Sequence, residues 1–356
     1  LLNQNYKVTV LVEYEINNRW GWIDTFKKEY KDKLEVVIGD IRDFNLILNA
    51  TRDIDVVYHL AALISIPYSY KASESYVDTN VKGTLNLLNA SIANKIKLFV
   101  HTSTSEVYGS AQYVPIDEKH PINAQSPYAA SKVGADQLAM SFYKSFGLPV
   151  TIIRPFNTFG PRQSLRAIIP TIINQSIKDG KIKLGNLESM RDFTFVDDTI
   201  NGFILAMKHK KCVGEVINLG TGYEFTIKET LKIILKISKN KGVVDIDKNR
   251  LRPKKSEVDR LLSDNKKAKK ILKWKPKYAG KKGFEAAIKE TSNQTQLISE
   301  QNSKDTETLV NLVQSQSEAL KSLEKRLNSK TALIPLTFLS VLALAAAVIG
   351  RVLGLG

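Results

Sequence analysis

The chain has one cysteine, Cys212, and four histidines among 356 residues. A lone thiol excludes an internal disulfide, and no Cys or His spacing suits zinc, so burial rather than a cross-link or structural metal must hold the fold. Cys212 itself is expected as a small buried side chain. Acidic residues are the scarcer charge, with 36 Asp and Glu against 52 Lys and Arg for a net +16. The lysines are spread along the chain with no helix-turn-helix, RNP or zinc-finger pattern, so solvated surface charge is expected and nucleic acid is not. The opening residues, Leu1-Leu2-Asn3-Gln4-Asn5, include no methionine and do not read as a signal peptide. Hydrophobic residues make up 43% of the chain, enough for a sizeable core in one large domain or two.

What is present is an alternation. Strand-like runs at 6–12, 34–38, 56–60, 97–102 and 150–154 are separated by helix-compatible stretches such as 80–95 and 128–146. Short apolar runs joined by helices predict parallel βαβ units with right-handed crossovers, hence an α/β, doubly wound parallel sheet with helices on both faces. Past residue 160 the pattern changes to a helix at 168–178, a short strand at 181–184 and a helix at 226–239 entered through Thr226. Residues 1–159 are therefore expected as the sheet domain and 160–290 as a smaller, interleaved C-terminal lid, followed by a helical tail. Within that tail, 291–330 is polar with Leu309, Val313, Leu320, Leu323 and Leu327 at coiled-coil-like spacing, a lone solvated helix being the alternative. The apolar end, 331–356, contains an uncharged stretch at 332–350 that would reach roughly 28 Å as a helix, close to the thickness of a bilayer's hydrocarbon core. Membrane contact through 332–350 is the expectation, with the basic part cytoplasmic; a buried helix or an extension foreign to the gene is the alternative.

The segment His101-Thr-Ser-Thr-Ser-Glu106-Val-Tyr-Gly109 continues the strand-like run at 97–102. Thr104, Ser105 and Glu106 thus fall just past a strand's carboxyl end, where open α/β sheets bind ligands. Tyr128-Ala-Ala-Ser-Lys132 lies on a helix entered through Ser126-Pro127, and a spacing of four puts Tyr128 and Lys132 on one face. A phenol of ordinary pKa near 10 is a poor base at neutral pH, but a neighbouring ammonium favours the phenolate and should lower that value. Such a pair can take a proton from a sugar hydroxyl, and Glu106 adds a second acid/base group.

These motifs resemble the extended short-chain dehydrogenase/reductases, the NAD-dependent epimerase/dehydratase family that acts on nucleotide sugars, over residues 6–290. The resemblance implies a Rossmann sheet, NAD as cofactor, a nucleotide sugar as substrate, no metal, and a homodimer built on helices 80–95 and 128–146. Thr104-Ser105-Glu106 looks like the triplet of 4,6-dehydratases and some UDP-glucuronate decarboxylases rather than that of 4-epimerases. A 4-epimerase only moves a hydride off C4 and back, whereas a dehydratase must also remove the C5 proton and expel the C6 hydroxyl. The implied catalytic set is Thr104, Ser105, Glu106, Tyr128 and Lys132. Many dehydratases carry Asp where this chain has Ser105, which leaves open whether Glu106 serves both steps. The implied cofactor contacts are Asp40 and Ile41 at the adenine, Leu60, Ala61 and Ala62 beside the diphosphate and ribose, Phe156 against the nicotinamide, and Tyr128, Lys132 and Asn80, the last matching a family asparagine that steadies the active-site strand; Asn80 reads equally well as a helix cap. Glu13 is the nearest candidate for the ribose hydroxyls, and an acidic group there suits NAD better than NADP. A second signature, Arg154-Pro-Phe-Asn-Thr-Phe-Gly-Pro-Arg162-Gln163, supplies Asn157 as a substrate contact, and Arg191 and Arg252 are the implied clamps on the diphosphate through their bidentate forks. The family's first strand and Gly-x-x-Gly-x-x-Gly turn do not occur in the sequence, so two strands are expected to lack a neighbour. Residues 160–170 and 184–187 most resemble dehydratases of nucleotide-linked N-acetylglucosamine in nonulosonic-acid pathways, and that is the expected activity. A UDP-glucuronate decarboxylase or 4-epimerase, and a non-catalytic, membrane-tethered interaction protein, are the alternatives.

Overall fold

Parallel strands organise the first half of the chain in the computed structural model, which describes residues 1–290 apart from 17–19, 27–29, 179–180 and 240–241. The strands in chain order are β1 (Val8–Val12), β2 (Leu34–Ile38), β3 (Val56–His59), β4 (Leu98–Thr102), β5 (Val150–Pro155), β6 (Asn157–Phe159), β7 (Lys181–Leu184), β8 (Met190–Phe195), β9 (Val216–Leu219), β10 (Glu224–Thr226), β11 (Val243–Ile246) and β12 (Arg260–Leu261). A four-stranded parallel sheet runs β3-β4-β5-β9, and β1 pairs in parallel with β2 in a separate two-stranded sheet. This is the α/β, Rossmann-like arrangement that the alternation predicts, with one difference: the parallel strands fall into two sheets, and among the described residues β1 and β3 are not hydrogen-bonded to each other.

The apolar runs follow from burial on both faces. Along β4, successive side chains point to opposite sides. Phe99 packs with Ile47, Leu88, Phe142 and Ile152 on one side, while Leu98 and Val100 pack with Ile153, Ile217, Leu272 and Trp274 on the other. Cys212 is buried in the second cluster. Helix Pro127–Phe146 covers the first face; Ser126 caps it by accepting from the Ala129 amide at 3.1 Å, and Gly147 ends it in the left-handed conformation at φ 71°.

The expected helix at 80–95 is more complex. Chain 73–93 runs as a short α-helix, Ser73–Tyr76, a π-helical turn, Val77–Lys82, and an α-helix, Gly83–Ala93. The wide turn turns Asn80 inward, where its side chain accepts from the Leu63 amide at 2.8 Å and donates to the Leu63 carbonyl at 3.0 Å and Ser131 Oγ at 2.9 Å. Periodicity alone cannot show a one-residue insertion of this kind, which is common at functional sites.

Past residue 156, β6, β8, β10 and β12 associate, with β6 and β12 parallel and β10 antiparallel to β8, and β7 pairs with β11. Helices Ile168–Lys178 and Ile227–Ser238 pack on them around Phe159, Phe193, Phe195 and Phe284. Thr226 and Glu229 form a reciprocal capping box at the start of the second helix. Residues 1–291 form one compact unit. The coiled-coil and apolar segments expected in 291–356 lie outside the described residues, among which no helix is long and apolar enough to cross a membrane.

Candidate active site

Because β3, β4 and β5 are parallel, their carboxyl ends share one edge of the sheet, and the loops leaving them build the site. After β4 the chain turns into a 3-10 helix, Ser105–Tyr108, whose N-cap is Thr104, accepting from the Glu106 amide at 3.2 Å. This buries Ser105 and Glu106, at 3% and 8% exposure, instead of leaving the carboxylate in solvent. The Thr104 hydroxyl lies close enough to the Tyr128 phenol to favour its ionised form. Tyr128 and Lys132, 7% and 3% exposed, follow from the first and second turns of helix Pro127–Phe146.

The electrostatics differ from expectation at the phenol. Burial pushes the Tyr128 pKa up, the Thr104 hydroxyl opposes this, and the nearby Glu106 and Asp136 carboxylates reinforce it. Burial also pulls the Lys132 amine down to about 8, with Asp136 acting against that fall. Sequence spacing registers the neighbouring ammonium but not the loss of water around both groups, and desolvation is the larger effect here.

The substrate candidates among the arginines gather around Glu106. Arg252 Nη1 lies 3.6 Å from Glu106 Oε2, and Arg191 Nη2 lies 3.6 Å from Glu257 Oε1. Arg191 is 5% exposed; burial lowers its pKa, and Glu106 counters that effect. The fold therefore gathers Thr104, Ser105, Glu106 and Tyr128 with both arginines, although they come from positions 104 to 252. A cavity of about 530 Å³ adjoins them, lined by Gly185, Leu187, Leu251, Arg252, Glu257 and Asp259 among others. Arg252 Nη1 and Asn157 Oδ1 are buried without a hydrogen-bond partner, and such groups are what a polar ligand satisfies.

The implied cofactor residues are more scattered. Leu60 is 65% exposed and Ala61 exposed, with Ala62 half-buried, so the backbone after β3 is open to a ligand. Asn80 spends its polar atoms clamping that loop, through Leu63, to Ser131 on the Tyr128 helix. Ile41 is 5% exposed in the core, and Asp40 is held by Arg42, whose guanidinium keeps that carboxyl below its usual range. Glu13 is exposed just past β1. The Phe156 ring, 1% exposed, packs with Val107, Tyr108, Ile116, Val258 and Leu261 rather than facing the open loop. Arg42, which also feels Asp78 and Glu13, is a residue that sequence reasoning missed. Another missed group is the buried set around Asp136, treated below; its signal in the sequence was the spacing of four from Lys132. Among the described residues, no cluster of His, Cys, Asp and Glu is fit to hold a metal ion.

The residues present fit the nicotinamide and ribose end of NAD: an open strand-end loop, a buried Tyr/Lys pair beside it, and Asn157 with an unsatisfied acceptor. Comparison with known proteins agrees. The profile of the GDP-mannose 4,6-dehydratase family matches residues 1–291. A dTDP-D-glucose 4,6-dehydratase of Dictyostelium discoideum is 37% identical over 249 residues, 66% of this chain and 57% of that protein, so the chain spans little more than half of that relative's length. A putative UDP-glucose 4-epimerase of Methanocaldococcus jannaschii is 32% identical over 294 residues, 81% of this chain and 91% of that one. Among solved structures, the dTDP-glucose 4,6-dehydratase DesIV of Streptomyces venezuelae, determined with NAD bound, superposes with a TM-score of 0.72 at 28% identity, covering 81% of this chain and 90% of its own. The chain thus belongs to the GDP-mannose 4,6-dehydratase family, within the NAD-dependent epimerase/dehydratase group of nucleotide-sugar enzymes.

Proposed function

We propose that this protein is a 4,6-dehydratase that converts a nucleotide-linked sugar of the N-acetylglucosamine type into its 4-keto-6-deoxy form. One observation carries the reading: a buried carboxylate, Glu106, stands in the same site as the Tyr128 phenol and beside an arginine of the neighbouring cavity. A C4 epimerase has no use for a carboxylate there, because nothing leaves from C5 or C6. The preference for an N-acetylglucosamine sugar rests on the likeness of residues 160–170 and 184–187 noted above.

In this reading Arg191 and Arg252 hold the diphosphate, and the cavity beside them takes the nucleotide. Tyr128 accepts the C4 hydroxyl proton, aided by Thr104 at the same oxygen and by Lys132 one turn along the helix. Since burial favours the neutral phenol, cationic charge must offset it, and Lys132 is the cation on that face. The open loop after β3 and the Tyr128/Lys132 face would hold NAD, which would supply a reversible hydride acceptor for the sugar. The ketone formed at C4 acidifies C5; Glu106 takes that proton and, with Ser105, passes it to the C6 hydroxyl, which departs as water, and C5 regains a proton from solvent as hydride reaches C6. Asn157, with its free acceptor, orients the sugar. Two copies of the chain are proposed to pair through the helices at 83–93 and 127–146.

Incubation with UDP-GlcNAc, GDP-GlcNAc, dTDP-glucose, GDP-mannose and UDP-glucuronate, followed by mass spectrometry, tests the assignment. The dehydratase reading expects a product lighter by one water, from an N-acetylglucosamine nucleotide first. An isobaric product would mean an epimerase, and a pentose from UDP-glucuronate alone would mean a decarboxylase.

A further inference from the structure

Behind Tyr128 and Lys132 lies a cluster of buried charge that the steps above do not use. Asp136 follows Lys132 by four residues on helix Pro127–Phe146, so Tyr128, Lys132 and Asp136 occupy successive turns of one face. Lys132 is 3% and Asp136 2% exposed. Opposite charges one turn apart and shut off from water interact far more strongly than a surface pair.

The two oxygens of Asp136 are treated differently. Oδ2 accepts from Ser103 Oγ at 2.7 Å, from Arg154 Nη2 at 2.9 Å and from Arg154 Nε at 3.2 Å. Oδ1 has no hydrogen-bond partner; His101 Nε2 lies 3.2 Å away without hydrogen-bond geometry. Arg154 is itself anchored, its Nη1 donating to Tyr108 Oη at 2.9 Å, which in turn donates to Asn218 Oδ1 at 2.8 Å. Donors from β4 and β5 thus fix the carboxylate from below and leave one oxygen open.

We infer that Asp136 is a positioning residue for the proton-transfer pair: its carboxylate, one helical turn from Lys132 and equally buried, is the counter-charge that keeps Lys132 an ammonium beside Tyr128, and Ser103 and Arg154 hold that carboxylate in place through its other oxygen. This rests on the catalytic role given to Tyr128 and Lys132 above. Every charged or titratable group facing the pair is accounted for. Toward Lys132 these are Asp136 on its own helix, His59 from β3 and His101 from β4; toward Asp136 they are His101 and Ser103 from the β4 side and Arg154 from β5; toward Tyr128 they are Glu106, Tyr76 and Asp136, all of which favour the neutral phenol, so that Asp136 acts for the pair through Lys132 and not on the phenol directly. Burial, with Lys132 adding to it, keeps His59 and His101 neutral, so neither supplies negative charge. Burial would raise the Asp136 carboxyl, and His101, Arg154 and Ser103 together hold it below the usual range instead. Asp136 is then the group opposing the desolvation that draws Lys132 down to about 8.

The test needs no substrate. The full chain is prepared with lysine labelled with carbon-13 at Cε, the Lys132 signal is assigned by its loss in Lys132→Arg, and its shift is followed against pH. A midpoint near 8 is expected for the wild type, moving acidward by about one pH unit or more in Asp136→Asn, a roughly tenfold loss of proton affinity. Because that variant leaves Arg154 buried without a counter-charge, Asp136→Asn/Arg154→Met carries the same expectation in a network free of net charge. A midpoint in either folded variant within about 0.3 unit of the wild type overturns the inference. Should the midpoint move while no sugar nucleotide is turned over, the positioning role stands and the dehydratase assignment falls.

Discussion

At the scale of single residues, burial decides more than charge spacing does. Lys132 shows this with a definite sign. Its pKa in the fold is near 8 against 10.5 when free, so the native state gives up the proton first. The buried ammonium costs stability below pH 8, and that cost disappears as pH rises from 8 toward 10.5. Lys132→Met should therefore abolish turnover and yet raise stability at pH 7, by on the order of 2 kcal/mol; a melting temperature equal to or below the wild type's would show that the amine is not desolvated as described. At Asp192, too, burial outweighs its partners, raising the carboxyl to about 6 although the donors around it pull the other way, but here the group binds together β8, the turn at 220–222 and Ser263. It accepts from the Thr221 amide and hydroxyl, the Gly222 amide and the Ser263 amide. Asp192→Asn turns an amide NH2 toward two of these donors, and a loss of about 3 kcal/mol in denaturant unfolding is expected. Nothing in Arg191-Asp192 marks that role in the sequence, because its partners lie 29 to 71 positions away. The Tyr128/Lys132 pair was legible because its geometry is set within one helix.

Elements were legible where one period governs the whole stretch. Helix Pro127–Phe146 and helix Ile227–Ser238 carry their own start signals, Ser126-Pro127 and Thr226 with Glu229, and both form where expected. The helix expected at 80–95 forms as Gly83–Ala93, but the chain from 66 to 82 was not legible, since its order is set by Asn80 reaching back to Leu63 and across to Ser131 rather than by an apolar stripe. Helix ends give a clean check. Gly147 has φ 71° and open space around an added Cβ, so Gly147→Ala is strained only through its backbone. About 1 kcal/mol of destabilisation with unchanged activity is expected there. A much larger loss in chemical denaturation would mean that the helix end carries contacts beyond its cap.

For the molecule as a whole, the alternation of strands and helices predicted the layered α/β architecture, and the lack of the family's first strand and glycine-rich turn predicted two strands without a neighbour, which is how the parallel strands divide, between β1 and β3 among the described residues. Net charge acts at this scale too. At +16, a molecule whose cavity presents Arg252 beside Arg191 should attract a nucleoside diphosphate over a distance. The KM for the nucleotide sugar is expected to rise several-fold from about 50 to about 200 mM salt while kcat holds steady; a flat KM would place the affinity in uncharged contacts.

Deuterium uptake at C5 probes the site's chemistry most directly. In D2O the wild-type enzyme should give a product one water lighter that carries deuterium at C5, and Glu106→Gln should lower its formation by about 10²- to 10⁴-fold without loss of nucleotide-sugar binding. Equal rates of water loss and equal C5 labelling in the two proteins would contradict the role given to Glu106, and with it the reading of this site as a dehydratase.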